Sequence, residues 1–194
     1  QMIARFTREA QVISQLDHPS IIPIYDLGRA DSGRWYLTMK EVHGRTLREC
    51  IAAMYSDTKG SDPFNLRQAV VALQRVCTAV GFAHDKGVLH RDLKPDNIMI
   101  AEFGQVFVLD WGLARVLRST PLQTSGITRS VVGSHTDHGL VMGTPAYMSP
   151  EQARADLKQI GPASDVWSIG ATLYAILYGE PPFSGSANDV LSQV

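Results

Sequence analysis

A short polar segment, His90–Asn97, limits the folds open to this chain more than any other feature, because strongly patterned regions flank it on both sides. Before it, apolar residues recur at helical spacing over residues 70–83. After it, the apolar runs 98–100 and 106–109, separated by a glycine-containing turn, predict a β-hairpin. Asp110 follows the hairpin directly, so we expect the hairpin to bring this carboxylate next to the polar segment.

The remaining patterns predict an α+β fold, because strands dominate early in the chain and helices dominate late. The predicted elements are a helix ending near Leu16, a buried strand at 21–24, a strand over 35–39, a short helix over 47–54 and an apolar helix over 164–178. Asn65 is the expected N-cap of the long helix, and Gly87 is its expected C′ residue. Residues 116–142 show no periodicity and are rich in Ser, Thr and Gly, and an irregular loop of that length is typical of a functional segment.

Composition excludes some classes of protein. Lys and Arg number 18 against 19 for Asp and Glu, and the net charge of −1 provides no global field for binding nucleic acid. Cys50 and Cys77 lack the spacing of a metal site or a disulfide scaffold, so we expect a cytoplasmic protein. The most apolar stretch, 169–178, is far shorter than the roughly 20 residues that cross a bilayer. Helical periodicity begins at once after Gln1, which predicts that the chain is a piece of a longer protein.

The side chains gathered by the hairpin suit phosphoryl transfer. A carboxylate such as Asp92 can accept a hydroxyl proton, and Lys94 can steady a transferring phosphate. Asn97 and Asp110 offer the hard oxygen ligands that Mg²⁺ prefers. The alternative is that the aspartates only cap turns, as isolated aspartates commonly do.

Four motifs in order resemble those of the eukaryotic-type, or Hanks-type, serine/threonine protein kinases. They are His90–Asn97, Asp110-Trp111-Gly112, residues 143–151 and residues 165–170. Lys94-Pro95 is the serine/threonine form of the catalytic loop, and residues 110–115, 149–154 and 161–165 are similar to bacterial members of the family. The resemblance implies a truncated bilobal fold in which residues 1–42 form the remainder of the small lobe and the hinge. Residues 43–194 then form a mostly helical large lobe without its last helices, and residues 110–151 form the activation segment.

Residue roles follow from the same resemblance. Asp92 is the catalytic base, Lys94 contacts the γ-phosphate, and Asn97 and Asp110 are the Mg²⁺ ligands. The residues implied for ATP binding are Glu9, which orients an ATP-binding lysine, Met39 as gatekeeper, Lys40 to Val42 as hinge, Lys94, Met99 and Asp110.

Supporting roles are implied for a further set of residues. Ile13, Ile24, His90 and Trp111 resemble the apolar spine that joins the lobes, with Trp111 in place of the usual Phe. Asp165 resembles the residue that braces the catalytic loop from the central helix, and Thr144 lies near the catalytic aspartate. Gly112 completes the second motif, Glu151 resembles a glutamate paired with a downstream arginine, and Arg91 is expected to receive a phosphate from the activation segment.

The resemblance implies transfer of the ATP γ-phosphate, with Mg²⁺, to serine or threonine hydroxyls of proteins, and allows a homodimer for trans-autophosphorylation. The expected glycine-rich loop and lysine are not among the 194 residues, so we expect this chain alone to be poorly active. A pseudokinase or scaffold module of the same fold is the main alternative, although Asp92 and Asp110 are both retained. A small-molecule phosphotransferase is disfavoured, because residues 143–151 resemble a platform for protein substrates.

Overall fold

A computed structural model describes residues 14–33, 35–56, 63–111, 115–116, 145–156 and 158–194. The strands are β1 (Ile24–Arg29), β2 (Trp35–Met39), β3 (Gly44–Thr46), β4 (Val88–Leu89), β5 (Ile98–Ala101), β6 (Val106–Val108) and β7 (Arg115–Val116). The helices are α1 (Leu47–Met54), α2 (Leu66–Asp85), α3 (Pro150–Ala153), α4 (Pro162–Tyr178) and α5 (Ala187–Gln193), with 3-10 turns at Pro95–Asn97, Glu102–Gly104 and Pro145–Tyr147. The predicted α+β class is confirmed, while the predicted helix before Leu16 lies mostly outside the described residues.

Three small antiparallel sheets are present in the described part of the chain. β1 pairs with β2, β4 pairs with β7, and β5 is the middle strand between β3 and β6. The predicted strand at 21–24 is wrong in extent, because β1 begins only at Ile24 and Ile21 forms a single parallel bridge to Val108. The Val108 N–H donates to the Ser20 carbonyl at 2.8 Å, so this bridge ties the segment before β1 to the β5–β6 hairpin.

The long helix α2 has the ends that the sequence predicts. The Asn65 side chain accepts from the Gln68 N–H at 3.2 Å, and the Gln68 side chain accepts from the Asn65 N–H at 2.9 Å. This reciprocal capping satisfies two backbone donors at the helix start. Gly87 follows the helix with φ +76°, in the left-handed region that glycine adopts at low cost.

The buried face of α2 is shifted from the apolar face predicted for residues 70, 73, 76, 77, 80 and 83, of which four are buried. Val70 and Cys77 are exposed, whereas the buried residues are Ala69, Ala72, Leu73, Val76, Ala79, Val80 and Ala83. Four of these seven are alanines, whose small side chains let neighbouring elements approach the helix closely. α2 packs against α4 through this region.

Helix α4 buries only part of the apolar face predicted for residues 166, 169, 173, 176 and 177, since Ile176 is buried and Ile169 packs against the core. Val166 is 61% exposed and Leu177 is 47% exposed, and Leu173 is also exposed. The buried set is mostly small or polar: Ser164, Asp165, Ser168, Ala171, Thr172, Ala175 and Ile176. The Ser168 hydroxyl donates to the Tyr147 carbonyl at 2.8 Å, so this face also receives polar groups of neighbouring loops. Within the described residues, none of the helices combines the length and apolar character needed to cross a membrane.

Candidate active site

A cleft of about 580 Å³ lies between the β1–β2 hairpin and the end of the β5–β6 hairpin. It is lined by Ile22, Thr38, Met39, Lys40, Glu41, Val42, Met99, Leu109 and Asp110. Five of these were predicted from the sequence as nucleotide-binding residues: Met39, Lys40, Val42, Met99 and Asp110. The Lys40 N–H donates to the Pro23 carbonyl at 3.3 Å, and its ammonium lies 4.8 Å from the centroid of the Phe107 ring. The cleft therefore brings together side chains that are 88 positions apart in the chain, from Ile22 to Asp110.

The Asp92 carboxylate lies in a compact polar group formed by the segment after β4. Its Oδ2 accepts from the Lys94 ammonium at 2.8 Å and from the Asn97 amide nitrogen at 3.2 Å. The same Asn97 nitrogen donates to the Asp92 carbonyl at 2.7 Å. Asn97 is held in place by the 3-10 turn that it ends, and its own carbonyl accepts from the Leu109 N–H at 2.8 Å. The turn and the hairpin together therefore orient the carboxylate.

The buried imidazole of His90 supports the segment that carries Asp92. His90 Nε2 is 2.8 Å from the Leu109 carbonyl, and the Asp92 N–H donates to His90 Nδ1 at 3.3 Å. These partners require the neutral ring with its proton on Nε2, since a carbonyl only accepts and a backbone N–H only donates. Burial lowers the pKa of His90 from its ordinary 6.5, although the carboxylates of Asp165, Asp92 and Asp110 act in the opposite direction. The ring packs against Trp111 with centroids 4.8 Å apart.

The Asp165 carboxylate on the first turns of α4 receives three hydrogen bonds. It accepts from the backbone N–H of His90 at 2.9 Å and from the backbone N–H of Arg91 at 2.7 Å. The third bond is to His84, whose Nε2 lies 2.7 Å from Oδ2 of Asp165. Burial raises the pKa of Asp165, but the hydrogen bonds from His84, Arg91 and His90 outweigh it and hold the pKa below its ordinary value. A fully buried, ionised carboxylate therefore connects α2, α4 and the segment that carries Asp92.

Two residues of the site have left-handed backbone conformations that side chains rarely adopt. Arg91 has φ +72° and Asp110 has φ +59°. Such conformations cost on the order of 1–3 kcal/mol each and persist only where surrounding contacts impose them. For Arg91 those contacts are the bond of its N–H to Asp165 and the bond of the Gln152 side chain to its carbonyl at 2.6 Å.

An ion pair joins α1 to the turn that carries Asn97. The Arg48 guanidinium donates to both carboxylate oxygens of Asp96, at 2.5 and 2.8 Å. Burial raises the pKa of Asp96, and the bond from Arg48 more than offsets it, so the pKa lies below the ordinary value. Burial likewise raises the pKa of the neighbouring Tyr147. The bidentate Arg48–Asp96 pair fixes the position of α1 relative to the 3-10 turn.

Asn97 and Asp110 have the donor atoms that a hard divalent cation requires. The Asn97 nitrogen is engaged with Asp92, which leaves the amide oxygen as its metal-binding atom. The Asp110 carboxylate is exposed on the wall of the cleft. Oxygen ligands from one carboxylate and one carboxamide suit Mg²⁺, which usually completes its shell with water and substrate phosphates. No group of three or more His, Cys, Asp or Glu residues that could hold a metal by themselves is found in the described ranges.

Other predicted site residues are placed only in part. Ile24 is half-buried on β1, and the Glu151 carboxylate accepts from the Ser164 hydroxyl at 2.5 Å. Burial raises the pKa of Glu151, yet that hydrogen bond contributes to holding it below the ordinary value. The predicted residues Glu9, Ile13, Gly112 and Thr144 lie outside the described residues, as does most of the predicted activation segment, residues 117–144.

Three residues of this arrangement were missed by the sequence reasoning: His84, Gln152 and Arg48. His84 occupies the last turn of α2, where a polar residue among buried ones was the available signal. Gln152 lies beside Glu151 in the third motif, and no local pattern marks it. Arg48 lies 48 positions from Asp96, and such a pair has no signal in one sequence.

Comparison with known proteins gives matches along the whole chain. A family model described as "Protein kinase domain" matches residues 1–194. The chain is 40% identical over 198 residues to serine/threonine-protein kinase PknD of Protochlamydia amoebophila, which covers 97% of this chain and 20% of that protein. It is 40% identical over 186 residues to serine/threonine-protein kinase PknB of Mycobacterium leprae, covering 94% of this chain and 26% of that protein. A probable serine/threonine-protein kinase of Corynebacterium efficiens is 39% identical over 186 residues. The chain spans about a fifth to a quarter of the length of these curated relatives.

Proposed function

The chain belongs to the protein kinase family, and from that premise we propose that it is the catalytic core of a serine/threonine protein kinase. One observation supports this activity above the others: the Asp92 carboxylate is oriented by Lys94 and Asn97 beside a cleft that ends at Asp110. This arrangement pairs a proton acceptor with a cation and two oxygen donors for a metal.

In the proposed reaction, the oxygen of a serine or threonine hydroxyl attacks the γ-phosphorus of ATP. The bond from that phosphorus to the β,γ-bridging oxygen breaks, ADP leaves, and the hydroxyl proton passes to Asp92. Both hydrogen bonds to the Asp92 carboxylate fall on Oδ2, so we assign Oδ1 to the substrate hydroxyl. The Lys94 ammonium, 2.8 Å from Oδ2, lies where it can also stabilise negative charge on the transferring phosphoryl group.

We assign the nucleotide to the cleft of about 580 Å³, with its adenine against residues 39–42 and Met99. A cleft of this size and mainly apolar lining is typical of small-molecule sites. Asn97 and Asp110 would hold Mg²⁺, which when bound neutralises charge on the phosphates.

We further propose the domain boundaries that the resemblance implies: small lobe and hinge to residue 42, large lobe from residue 43, and activation segment over 110–151. Arg91 is proposed to receive a phosphate from that segment, because it directly precedes Asp92 and its backbone is held by Asp165 and Gln152. A phosphate bound to Arg91 would stabilise one conformation of the loop that carries Asp92. Protein substrates and autophosphorylation between two copies belong to the same proposal. We also place the domain in the reducing cytoplasm, because Cys50 and Cys77 lack the spacing of a metal site or a disulfide scaffold.

Transfer of radiolabelled phosphate from ATP to a generic basic protein tests the proposal, using the full-length protein with Mg²⁺. The Asp92→Asn substitution removes the proton acceptor and is expected to lower the rate by about 10²–10⁴-fold. Asp31→Asn makes the same change at an exposed turn residue and is expected to leave the rate unchanged.

The pseudokinase alternative predicts a different outcome. The catalytic proposal is wrong if the parent protein is folded and binds ATP in a thermal-shift assay but transfers no phosphate in any activation state. These states include acidic substitutions of the serine and threonine residues at 124–136 of the proposed activation segment. If it phosphorylates small molecules and no protein, the assignment of protein substrates is wrong.

A further inference from the structure

A second cavity, of about 340 Å³, lies between the N-terminal half of α2 and the β5–β6 hairpin. Its lining residues are Arg45, Pro63, Phe64, Arg67, Gln68, Val71, Ala72, Arg75, Ile100, Ala101, Gly104 and Val106. None of them lines the nucleotide cleft. Met99 lines the cleft and its neighbour Ile100 lines this cavity, as expected for successive residues on opposite faces of a strand. The two cavities are therefore separate, on opposite sides of β5.

The charge of this second cavity is strongly one-sided. Three arginines line it, Arg45, Arg67 and Arg75, and its lining includes no aspartate, glutamate or lysine. The whole chain, by contrast, has a net charge of −1. The Arg75 guanidinium donates to the Gly104 carbonyl, which holds this cation at the hairpin end of the cavity. A guanidinium recognises a carboxylate through two parallel hydrogen bonds, so an arginine-lined site favours carboxylates.

The floor of the cavity is apolar. Phe64, Val71, Ala72, Ile100 and Val106 contribute it, and a volume of 340 Å³ has room for a few apolar side chains. Arginine together with aromatic and apolar residues, without lysine, is the composition enriched at protein interfaces. A small inorganic anion would leave this apolar surface unused.

An exposed aromatic residue is the chain neighbour of a residue that lines this cavity. Phe103 directly precedes the lining residue Gly104, and its side chain is 98% exposed. Its φ of +56° is the left-handed conformation, which is strained for an aromatic residue. The hairpin turn therefore presents a large apolar side chain to solvent next to the lining residue Gly104, where contact with a partner would bury it.

We propose that this surface, defined by Arg67, Val71, Arg75 and Ile100, is a docking site for an acidic segment of a partner protein. The segment would place apolar side chains on the floor and carboxylates against the arginines. Nucleic acid fits less well, since the floor is apolar and the chain as a whole has no positive field. The site is independent of the proposed chemistry, because it shares no residue with the cleft.

Fluorescence anisotropy tests this with the full-length protein and a labelled peptide of sequence Glu-Asp-Leu-Asp-Glu-Leu-Asp-Glu. We expect saturable binding that weakens as salt rises, since the exposed charges are screened. Arg67→Glu replaces attraction by repulsion at the rim and is expected to weaken binding by about three- to tenfold. Lys86→Glu makes the same charge reversal near the other end of α2, outside the lining, and is expected to leave binding unchanged.

The peptide itself supplies two further controls. Replacing each leucine by serine removes the anchors for the apolar floor, and replacing each acidic residue by lysine removes the charge match; both changes are expected to abolish binding. The proposal is overturned if the acidic peptide does not bind, if Arg67→Glu and Lys86→Glu weaken it equally, or if the lysine peptide binds as well. Competition by ATP would overturn it as well, because the peptide would then bind in the cleft. Displacement by inorganic phosphate, beyond the effect of phosphate on ionic strength, would indicate a site for small anions instead. Because binding is the readout, these outcomes remain distinct from any failure of the phosphotransfer proposal.

Discussion

Replacing Asp165 by asparagine tests whether the conformation of the segment that carries Asp92 depends on a single buried carboxylate. Asp165 is 0% exposed, and its oxygens accept from the N–H of Arg91 on Oδ1 and from the N–H of His90 and the ring of His84 on Oδ2. An asparagine has one accepting oxygen, and its amide nitrogen only donates. Whichever way the amide turns, at least one of the two backbone N–H groups then faces another donor.

The magnitude follows from those bonds. A buried donor left without a partner costs about 1–3 kcal/mol, and the remaining bonds lose the extra strength of a charged acceptor. Together we expect the free energy of unfolding to fall by about 2–5 kcal/mol, which overlaps the range of about 3–5 kcal/mol found when one partner of a buried charged pair is removed. Domains of this kind have a total stability of about 5–15 kcal/mol, so the loss is a large fraction of it.

Urea denaturation at neutral pH, followed by circular dichroism, measures this loss. Asp85→Asn makes the same change at the exposed end of α2 and is expected to stay within about 0.5 kcal/mol of the parent. The rate of phosphate transfer should fall as well, because the loop carrying Asp92 loses its anchor, while ATP affinity should change little, because Asp165 does not line the cleft. If Asp165→Asn is as stable as Asp85→Asn, the reasoning that this carboxylate holds the segment is wrong.

Two further predictions concern stability. The pKa of His90 is lowered in the folded state, so below about pH 6.5 the unfolded chain binds a proton that the folded chain does not. The free energy of unfolding should therefore fall as the pH is lowered from 7 to 5, by at most about 1.4 kcal/mol per pH unit. Urea titrations at several pH values in this range measure how the free energy of unfolding depends on pH. If His90→Phe shows the same dependence as the parent, the effect does not come from His90. At Gly44, an added Cβ would meet the Ile100 carbonyl and the backbone of Ala101, so Gly44→Ala should destabilise the β3–β5 pairing by about 1–3 kcal/mol. Gly81→Ala, where a Cβ meets nothing within 4 Å, should be neutral or stabilising in the same thermal-melt series, and equal effects at the two glycines would refute the packing argument.

Local signals in the sequence predicted a large part of the fold. The helix over 47–54, the capping of α2 by Asn65, the turn at Gly87 and the β5–β6 hairpin are all present as predicted. These features depend on side chains and backbone groups a few residues apart, so a single sequence contains the necessary information. The proximity of Asp92, Asn97 and Asp110 was predictable for a similar reason, since one short hairpin connects them.

The face that α4 buries was predictable only in part. Periodicity selected five apolar residues, of which Ile176 is fully buried and Ile169 packs against the core. The other three, Val166, Leu173 and Leu177, are exposed. The buried face instead contains Asp165 and Ser168, because donors and acceptors of loops far away in the sequence need partners there.

The sequence by itself determined the local helix ends, the hairpin and the identity of the chemical groups, since these depend on short-range geometry and on side-chain chemistry. Only the tertiary structure decided which groups support them. The bonds from Gln152 to Arg91, from Arg48 to Asp96 and from Asp165 to His90 and Arg91 span 48 to 75 positions of the chain. These pairs form because a polar group that is buried away from water needs a hydrogen-bond partner, and the packing of the chain determines which groups lie within reach.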